Sequence, residues 1–525
     1  MAENEIPCAG PKRRPIRWWP AILILVATVA AILWVRAQGD WPYQKRNLTT
    51  APMVVVTAFL LLVWWLLLSR TRMRLRLGAV GGVVVLGMAG AALFRFRGVS
   101  GDLAPILEFR WAKPVLNAAP ALAANPPNIT TAAAADSSTS PFPQYLGPDR
   151  TGVIPGPRFE TNWITHPPVV VWRQHVGAAW SGFVIVGELC LTLEQRGEDE
   201  CVVAYDLATG RQVWLHADKT RYDTAIAGEG PRTTPTVAGH RVLACGATGI
   251  LNCFELATGR QLWTRNIVKE SGGRVPEWGV AGSPLVVDGL VIVHGSGGEG
   301  RSLLALRLED GQPAWSAGAA SASYASPVLA TLAGVPQVLA FNHQLVSGHD
   351  PATGATLWKH PWKSGNVVCS TPAVAGRNRV VFSSGYGYGA ELLEISHSDS
   401  GNLSVQRVWK SPRMKSKFGH IFARDGFLYG LDDGVFACVD LKDGAQRWKE
   451  GRHGHGQGLL VGDLYLLMAE SGELILLRPT PEGPNEQAHL KVFNGKTWNP
   501  IALAGDRLLV RNDREAACLR LAVAP

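Results

Sequence analysis

The sequence predicts an all-β fold, an eight-bladed β-propeller, preceded by three transmembrane helices. The first observation behind this prediction is a nine-residue stretch, Asp206-Leu-Ala-Thr-Gly-Arg-Gln-Val-Trp214, of which close copies end at Trp263, Trp358 and Trp448. The second is that tryptophans at this position recur every 39 to 52 residues from Trp172 onward. The third is a group of apolar runs near the N-terminus. Repeats of about 40 to 50 residues that contain only strand signals are typical of propeller blades.

Three apolar runs, near residues 18–35, 51–68 and 77–94, are each long enough to cross a hydrocarbon core as a helix. The segments before the first and third runs are basic, which by the positive-inside rule keeps them in the cytoplasm and sends the C-terminal part outside. The bias is modest because cations also fall on the predicted outer side, namely Arg36, Lys45, Arg46, Arg95 and Arg97. No Asp, Glu, Lys or His interrupts the runs, so we expect a multi-pass anchor in the lipid bilayer of the inner membrane.

A net charge of +9 would ordinarily suggest nucleic acid as a partner. The charge is uneven, however, because 15 Lys and Arg oppose 5 Asp and Glu up to residue 113, whereas 36 oppose 37 after it. The basic excess therefore belongs to the membrane segment, and we expect no nucleic-acid partner. Residues 98–141 are rich in Ala, Pro, Ser and Thr, which predicts a linker. The predicted domains are an anchor (1–97), the linker (98–141) and the propeller (142–525).

The repeated motif is interpreted as a hairpin between the two outer strands of each blade. Its Asp can bind the backbone two residues on, its Gly allows a positive φ in the turn, and its Trp lies on the outgoing strand. The positions predicted to be structural are Asp206, Gly210, Trp214, Gly259, Trp263, Trp315, Asp350, Trp358, Trp409, Asp440 and Trp448. An eighth slot falls near Val492 and Phe493. Because the chain ends on a strand without an outer neighbour, we predict that residues 169–176 close the ring as the outer strand of the last blade.

The Asp-x-x-Thr-Gly-x-x-x-Trp repeats resemble the tryptophan-docking motifs of quinoprotein-type propellers, the pyrroloquinoline-quinone-like (PQQ-like) repeat superfamily. Residues 142–153, Phe-Pro-Gln-Tyr-Leu-Gly-Pro-Asp-Arg-Thr-Gly-Val, also resemble the segment that precedes such propellers in many bacterial envelope proteins. This resemblance covers residues 142–525 and implies the fold. It leaves two functional classes open, since the superfamily contains quinone-dependent alcohol and glucose dehydrogenases and a non-enzymatic lipoprotein of the outer-membrane β-barrel assembly machinery.

A propeller blade has four strands, a to d from the axis outward, and the ring has two faces. The long d-to-a and b-to-c loops share one face, the loop face, and the short a-to-b and c-to-d turns share the other, the turn face. Propeller sites usually lie on long loops. The unusual residues of the loop face, predicted as a ligand or partner surface, are Trp180, Glu194, Arg196, Arg232, Glu277, Trp278, Tyr324, Lys417, His453, His455, Trp498 and Arg511. One interpretation is a site for a planar or anionic ligand, in which Arg and Lys are charge partners and the aromatic residues are stacking surfaces. The other is that the aromatic residues plug the central channel and the charged residues pair between neighbouring blades.

For a quinone dehydrogenase the resemblance implies a vicinal Cys-Cys disulfide, a Ca²⁺ held by Glu and Asn, and a catalytic Asp. The sequence has no adjacent Cys pair, and its oxygen ligands cannot be grouped without a structure: Glu194, Glu277, Asp432, Asp433 and Asn499. His453 and His455 lack a third ligand. No catalytic residue or metal is therefore predicted, and PQQ with calcium belongs to the alternative function. Cys190 and Cys201, on one predicted hairpin, leave a disulfide open.

We therefore predict a membrane-anchored, extracytoplasmic propeller that serves as a binding or assembly scaffold in the cell envelope. Its expected partners are the bilayer and an envelope protein. The alternative is a PQQ-dependent dehydrogenase that lacks the vicinal disulfide.

Overall fold

The computed structural model describes residues 16–39, 41–111, 141–298, 300–319, 321, 323–365 and 367–524. The chain divides into two compact units, Met1–Lys113 and Pro114–Pro525. The helices of the first unit are α1 (Trp19–Ala37), α2 (Tyr43–Val63) and α3 (Met73–Leu93), and a π-helical turn, Trp64–Leu68, continues α2. All three are long and apolar enough to span a membrane, as the sequence predicts.

The end of α1 and the start of α2 are joined by polar contacts. Helix α2 begins eight residues before the predicted apolar run, and its first turns are polar. Arg36 of α1 donates hydrogen bonds to Asn47 (2.9 Å) and Thr50 (3.1 Å) of α2. Arg46 donates to the carbonyl oxygens of Gly39 (2.9 Å) and Trp41 (3.1 Å). These cations on the predicted outer side therefore link the ends of two helices.

A β-hairpin follows α3 without a gap and consists of β1 (Phe94–Val99) and β2 (Pro105–Phe109). The hairpin therefore occupies residues 98–109 of the range that composition assigned to a linker. The signal was present as a strict alternation of Phe94, Arg95, Phe96 and Arg97, which is the period of a strand. The rest of the predicted linker, residues 112–140, lies outside the described residues.

The second unit is a ring of eight antiparallel sheets, each with the strand order of a propeller blade. Two strands precede the first complete blade, β3 (Val153–Ile154) and β4 (Val169–His175). Blade 1 contains β5 (Val184–Val186), β6 (Leu189–Arg196), β7 (Asp199–Asp206) and β8 (Gln212–Asp218). A small hairpin, β9 (Asp223–Thr224) and β10 (Gly228–Glu229), lies in the loop that follows.

Blades 2 to 4 repeat this order, and one helical turn interrupts the loop after blade 2. Their elements are β11 (Thr236–Ala238), β12 (Arg241–Cys245), β13 (Ile250–Glu255) and β14 (Gln261–Asn266), then α4 (Ile267–Glu270), then β15 (Leu285–Val287), β16 (Leu290–His294), β17 (Leu303–Arg307) and β18 (Pro313–Ala317), then β19 (Val328–Leu332), β20 (Val335–Phe341), β21 (Leu345–His349) and β22 (Thr356–Pro361).

Blades 5 to 8 complete the ring. Their elements are β23 (Ala373–Val374), β24 (Arg379–Ser384), β25 (Gly389–His397) and β26 (Leu403–Ser411), then β27 (Ile421–Arg424), β28 (Phe427–Asp432), β29 (Val435–Asp440) and β30 (Gln446–Arg452), then β31 (Gln457–Val461), β32 (Leu464–Met468), β33 (Glu473–Leu477) and β34 (Glu486–Lys491), then β35 (Ala502–Ala504), β36 (Arg507–Arg511) and β37 (Glu515–Arg520).

The ring closes as predicted, because β4 supplies the outer strand of blade 8. It pairs antiparallel with the last strand, β37, and Trp172 lies opposite Cys518. Both ends of the propeller chain are thereby hydrogen-bonded in one sheet. This closure leaves no open strand edge at the junction, and it makes the last blade depend on residues from both ends of the ring.

The motif tryptophans join each blade to the next. Trp214 packs against the c-to-d turn of blade 2 and donates to the carbonyl oxygen of Leu256 (2.9 Å). A Cβ on Gly259 would lie 2.6 Å from the Trp214 ring, which is too close, and the φ of 71° at this position also favours glycine. Five further tryptophans donate in the same way to the turn of the following blade: Trp172, Trp263, Trp315, Trp409 and Trp448.

Two motif positions depart from the pattern. Trp358 donates instead to the side chain of Gln337. In the next blade the two outer strands are longer, nine residues each, and Val405 stands four residues before Trp409, where the other motifs have glycine. In blade 7 the register places Ala488 in the tryptophan position, opposite Leu476. The predicted slot at Val492 and Phe493 was therefore wrong, since those residues follow the end of β34.

The segment of residues 142–154 fills part of the central channel. Phe142 forms an antiparallel bridge with Ile185 of β5, and Val153 pairs in parallel with Leu460 of β31. Ile185 and Leu460 both lie near the C-terminal ends of their inner strands, and these ends are at the turn face. The segment therefore enters and leaves the channel on that side, and its apolar side chains join the core between blades 1, 7 and 8.

Arg150 extends from this segment towards the loop-face ends of the inner strands. Its guanidinium group donates to the carbonyl oxygens of Ser283 (3.1 Å), Pro284 and Pro327 (2.9 Å) and to Thr236 Oγ1 (3.2 Å). Burial lowers the pKa of Arg150 to about 9, so the group stays charged at neutral pH. One buried cation thus links the inner strands of blades 2, 3 and 4.

Cys190 and Cys201 do not form a disulfide, because the register of their hairpin separates them. Cys190 lies opposite Tyr205, and Cys201 lies opposite Glu194. Both thiols are free and buried. Cys253 and Cys438 are buried strand residues, and each lies opposite the motif tryptophan of its own blade.

Candidate functional site

The loop face carries a closed circuit of aromatic and basic side chains, which we call the loop-face cluster: Trp180, Arg232, Trp278, Tyr324, Tyr386, Lys417, Phe418 and Trp498. Trp498 and Trp180 pack with ring centroids 4.9 Å apart. The Trp180 indole donates to the carbonyl oxygen of Ala227 (2.7 Å), and Arg232 donates to the neighbouring carbonyl of Gly228 (3.0 Å). The loops into blades 8, 1 and 2 are thereby in contact.

The circuit continues through the loops of blades 3 to 6. Arg232 also donates to the carbonyl oxygen of Trp278, whose ring stacks on Tyr324 at 5.2 Å and lies 6.3 Å from Tyr386. The Lys417 ammonium group lies 5.4 Å from the centre of the Tyr386 ring. The neighbour of Lys417, Phe418, packs on Trp498 at 5.0 Å and closes the circuit.

Cations in and beside the cluster lie over aromatic faces. Lys496 lies 4.0 Å from the Trp498 ring centre and 4.6 Å from that of Trp180. Arg232 lies 4.5 Å from the Tyr222 ring. Such contacts stabilise a desolvated cation by about 1–2 kcal/mol. Burial lowers the pKa of Arg232 and raises that of Tyr324 to about 12, so at neutral pH this surface presents cations and neutral phenols.

Three of the predicted site residues form a separate, buried ion-pair cluster at the junction of blades 8 and 1. Glu194 accepts hydrogen bonds from Arg196 Nε (2.9 Å), Tyr205 (2.5 Å) and the Gly177 amide (2.8 Å). Arg511 donates to Thr192, to the Leu193 carbonyl and to the Gly177 carbonyl at 2.8–3.0 Å. The Glu194–Arg196 ion pair lies within blade 1, and Arg511 joins blade 8 to the same group through the oxygens of Thr192, Leu193 and Gly177, so these charged side chains have buried partners inside the protein.

The remaining predicted residues lie beside the loop-face cluster. The His455 ring is 5.4 Å from Phe418. His453 is half-buried, and burial lowers its pKa. The side chain of Glu277 is exposed, while its carbonyl oxygen accepts from Tyr222.

Sequence reasoning missed several residues of this surface. Tyr386 lies in the b-to-c turn of blade 5, where the run Gly385-Tyr-Gly-Tyr-Gly389 was a signal for a tight, aromatic turn. Tyr386 has a φ of 58°, a left-handed backbone conformation that is unusual for tyrosine. Phe418 and Lys496 lie in long d-to-a loops. Lys496 shares its loop with Trp498, whereas the contact of Phe418 with Trp498 joins the loops that lead into blades 6 and 8.

Three of the five oxygen ligands that the sequence offers for a calcium ion, Glu194, Asp432 and Asn499, are bound to other groups of the protein. Glu194 is paired with Arg196, and Asp432 is paired with Lys415 (3.0 Å) and Lys449 (3.1 Å). Asn499 donates to the carbonyl oxygens of Ala179 and Ser181. The described cysteines are free thiols. These residues therefore do not fit the donor set of a calcium-bound quinone.

Comparison with known proteins gives a family and a fold. The family model described as outer membrane protein assembly factor BamB matches residues 170–280 and 198–450, which together are more than half of the chain. No curated protein sequence matches significantly.

Solved structures that match this chain include BamB and two dehydrogenases. BamB from Moraxella catarrhalis is 14% identical, with a TM-score of 0.49 over 67% of this chain and 99% of that one. A europium-containing methanol dehydrogenase is 11% identical, with a TM-score of 0.43 over 72% and 98%. The quinohemoprotein alcohol dehydrogenase from Comamonas testosteroni is 12% identical, with a TM-score of 0.43 over 73% and 81%.

The repeated motif, the eight blades and the match of the family model agree with one another. The chain therefore belongs to the outer membrane protein assembly factor BamB family of PQQ-like β-propeller repeat proteins.

Proposed function

We propose that this protein is a membrane-anchored scaffold of the cell envelope that binds a protein partner through its loop face. The three apolar helices would hold it in the inner membrane, with the propeller on the extracytoplasmic side. The description of its family as an assembly factor supports a binding role over a catalytic one.

The observation that carries the proposal is the loop-face cluster. Tryptophan, tyrosine and arginine side chains are the groups that contribute most to binding energy at protein interfaces. In the loop-face cluster, side chains from seven separate loops are brought together and are fixed by stacking and backbone hydrogen bonds. A surface that is already ordered loses little conformational entropy on binding.

The contents of the channel also favour a surface site. Residues 142–154 occupy the turn-face side of the channel, and the Arg150 guanidinium group is saturated by protein oxygens. A ligand at the axis would have to displace this segment. A partner on the loop face would not.

The test is capture of partners from envelope extract by the tagged full chain in nanodiscs, with Trp278→Ala as the informative variant. This change removes the indole that stacks on Tyr324 but keeps the carbonyl oxygen that accepts from Arg232. Lys442→Ala, in the c-to-d turn of blade 6, is the matched control on the turn face. We expect a partner that Trp278→Ala captures at least tenfold less well and the control captures normally.

Equal capture by both variants would refute a loop-face interface. The dehydrogenase alternative is tested separately, by spectral titration of the full chain with PQQ and Ca²⁺ followed by a dye-linked alcohol assay. Stoichiometric binding with turnover would replace the scaffold by the enzyme.

A further inference from the structure

The hairpin that follows α3 has two chemically different faces. Phe94 lies opposite Phe109, and Phe96 lies opposite Leu107, so these four side chains share one face. The rings of Phe94 and Phe109 are 5.8 Å apart, and Trp111 extends the row with its ring 5.3 Å from Phe109. All five side chains are 42–64% exposed. This is a continuous apolar strip on an otherwise small element.

The opposite face is charged. Arg95 lies opposite Glu108 and forms an ion pair with it at 2.8 Å, and Arg97 approaches the same carboxylate at 3.3 Å. Arg110 donates to the carbonyl oxygens of Ala91 (3.1 Å) and Phe94 (3.2 Å), and so caps the end of α3. With Asp102 at the tip included, three arginines stand against two carboxylates, which leaves the hairpin with a formal net charge of +1.

The hairpin lies at the same end of the helical unit as the α1–α2 connection. It begins at the residue after α3 ends, and Asn47, near the start of α2, donates to the carbonyl oxygen of Asp102 at its tip (2.9 Å). Strands of five or six residues span only about 20 Å, so the hairpin cannot extend far from the helix ends.

We propose that this hairpin is an interfacial element that inserts its aromatic strip into the bilayer leaflet in which α3 ends. The arginines then lie at the depth of anionic phospholipid headgroups. Aromatic side chains favour this boundary because they have an apolar body and a polarisable surface, and a basic face is attracted to lipid phosphates. The inference rests on the membrane anchoring in the proposed function and adds a lipid-binding surface to it.

The experiment places the photoreactive residue p-benzoylphenylalanine singly at Leu86, Phe96, Leu107 or Glu108 of the full chain. Each protein is reconstituted in nanodiscs of equal parts phosphatidylethanolamine and phosphatidylglycerol, irradiated and analysed by mass spectrometry. Leu86 is an exposed residue of α3 and reports on anchoring. Glu108 is the matched control on the charged face of the same hairpin. We expect lipid adducts at Leu86, Phe96 and Leu107, with at least fivefold lower yield at Glu108.

The two proposals fail in different ways. Adducts at Leu86 with none at Phe96 and Leu107 would refute the interfacial hairpin and leave the anchor intact. An absence of adducts at Leu86 would refute the anchor. Cross-links from Phe96 to a peptide of this chain would show that a protein segment covers the strip, which also refutes lipid contact. A yield at Phe96 that is unchanged in pure phosphatidylcholine would refute the role of anionic headgroups.

Discussion

The two faces of the propeller are built on opposite principles. On the turn face the same contact recurs from blade to blade: a carboxylate binds its own turn, as Asp206 does with the amide and hydroxyl of Thr209 (2.8 and 2.6 Å), and a tryptophan docks on the next turn. In the loop-face cluster each side-chain contact occurs once. Arg232, Trp278 and Lys417 all have different partners.

The difference shows which part of the molecule maintains the ring and which part is available for binding. Each blade buries its faces only against its neighbours, so a device that joins neighbours must be repeated to hold a ring. Loops without a repeated structural duty can diverge. We therefore expect changes on the turn face to alter stability and changes on the loop face to alter binding.

The largest effect should follow deletion of residues 165–176, which removes the outer strand of blade 8 and Trp172. Because β4 is the only described partner of that edge of β37, we expect loss of the cooperative thermal transition of the whole propeller. Deletion of residues 223–228 removes the β9–β10 hairpin from the loop face and should preserve the transition. Near-UV circular dichroism of the full chain in micelles measures both, and a normal transition without β4 would contradict the closure.

The second largest effect is a difference in stability between two tryptophan variants, one on each face of the propeller. Trp214→Ala empties a buried site between blades 1 and 2 and should lower the free energy of unfolding by about 3–5 kcal/mol. Trp278→Ala, on the half-buried loop face, should lower it by about 1 kcal/mol. Urea unfolding in micelles measures the pair. Equal losses would mean that the loop face also maintains the ring.

A third effect should appear in the pH dependence of stability. Glu200 lies at the loop-face end of strand c in blade 1. Burial raises its pKa to about 7, although the hydrogen bond that it accepts from the Ala247 amide (2.8 Å) acts to lower the pKa. The folded state then binds more protons than the unfolded state between about pH 4.5 and pH 7, so stability falls as pH rises through that range. The loss is at most about 3 kcal/mol. Glu200→Gln should flatten the profile measured by urea unfolding.

The smallest effect should have the opposite sign. Hydrogen bonds from the Thr353 hydroxyl and amide lower the pKa of Asp350 on the turn face. Its contribution is therefore present above the unfolded pKa and is lost as pH falls through the lower folded value. Asp350→Asn should cost less than about 1 kcal/mol at neutral pH and should reduce the acid-induced loss. Acid titration of the thermal midpoint, run beside Glu200→Gln, tests the contrast.

Much of the turn face could be predicted because its contacts are local. Asp206, Gly210 and Trp214 lie within one hairpin. Asp206 binds the backbone of the turn, Gly210 takes its positive φ, and Trp214 lies on the outgoing strand. The loop face could be predicted only as a list of unusual residues. Glu194 and Arg511 were assigned to a surface because they lie near loops, but they are buried and satisfied within the ion-pair cluster.

The sequence by itself determined the helices, the number of blades and the strand that closes the ring. These features depend on apolar length, on a repeated period and on an unpaired last strand, all of which are properties of neighbouring residues. Only the tertiary structure decided that Phe418 meets Trp498, that Arg150 binds the inner strands of three blades, and that Cys190 and Cys201 are out of register. Those contacts join residues from different blades or depend on strand register, and neither is encoded in local spacing.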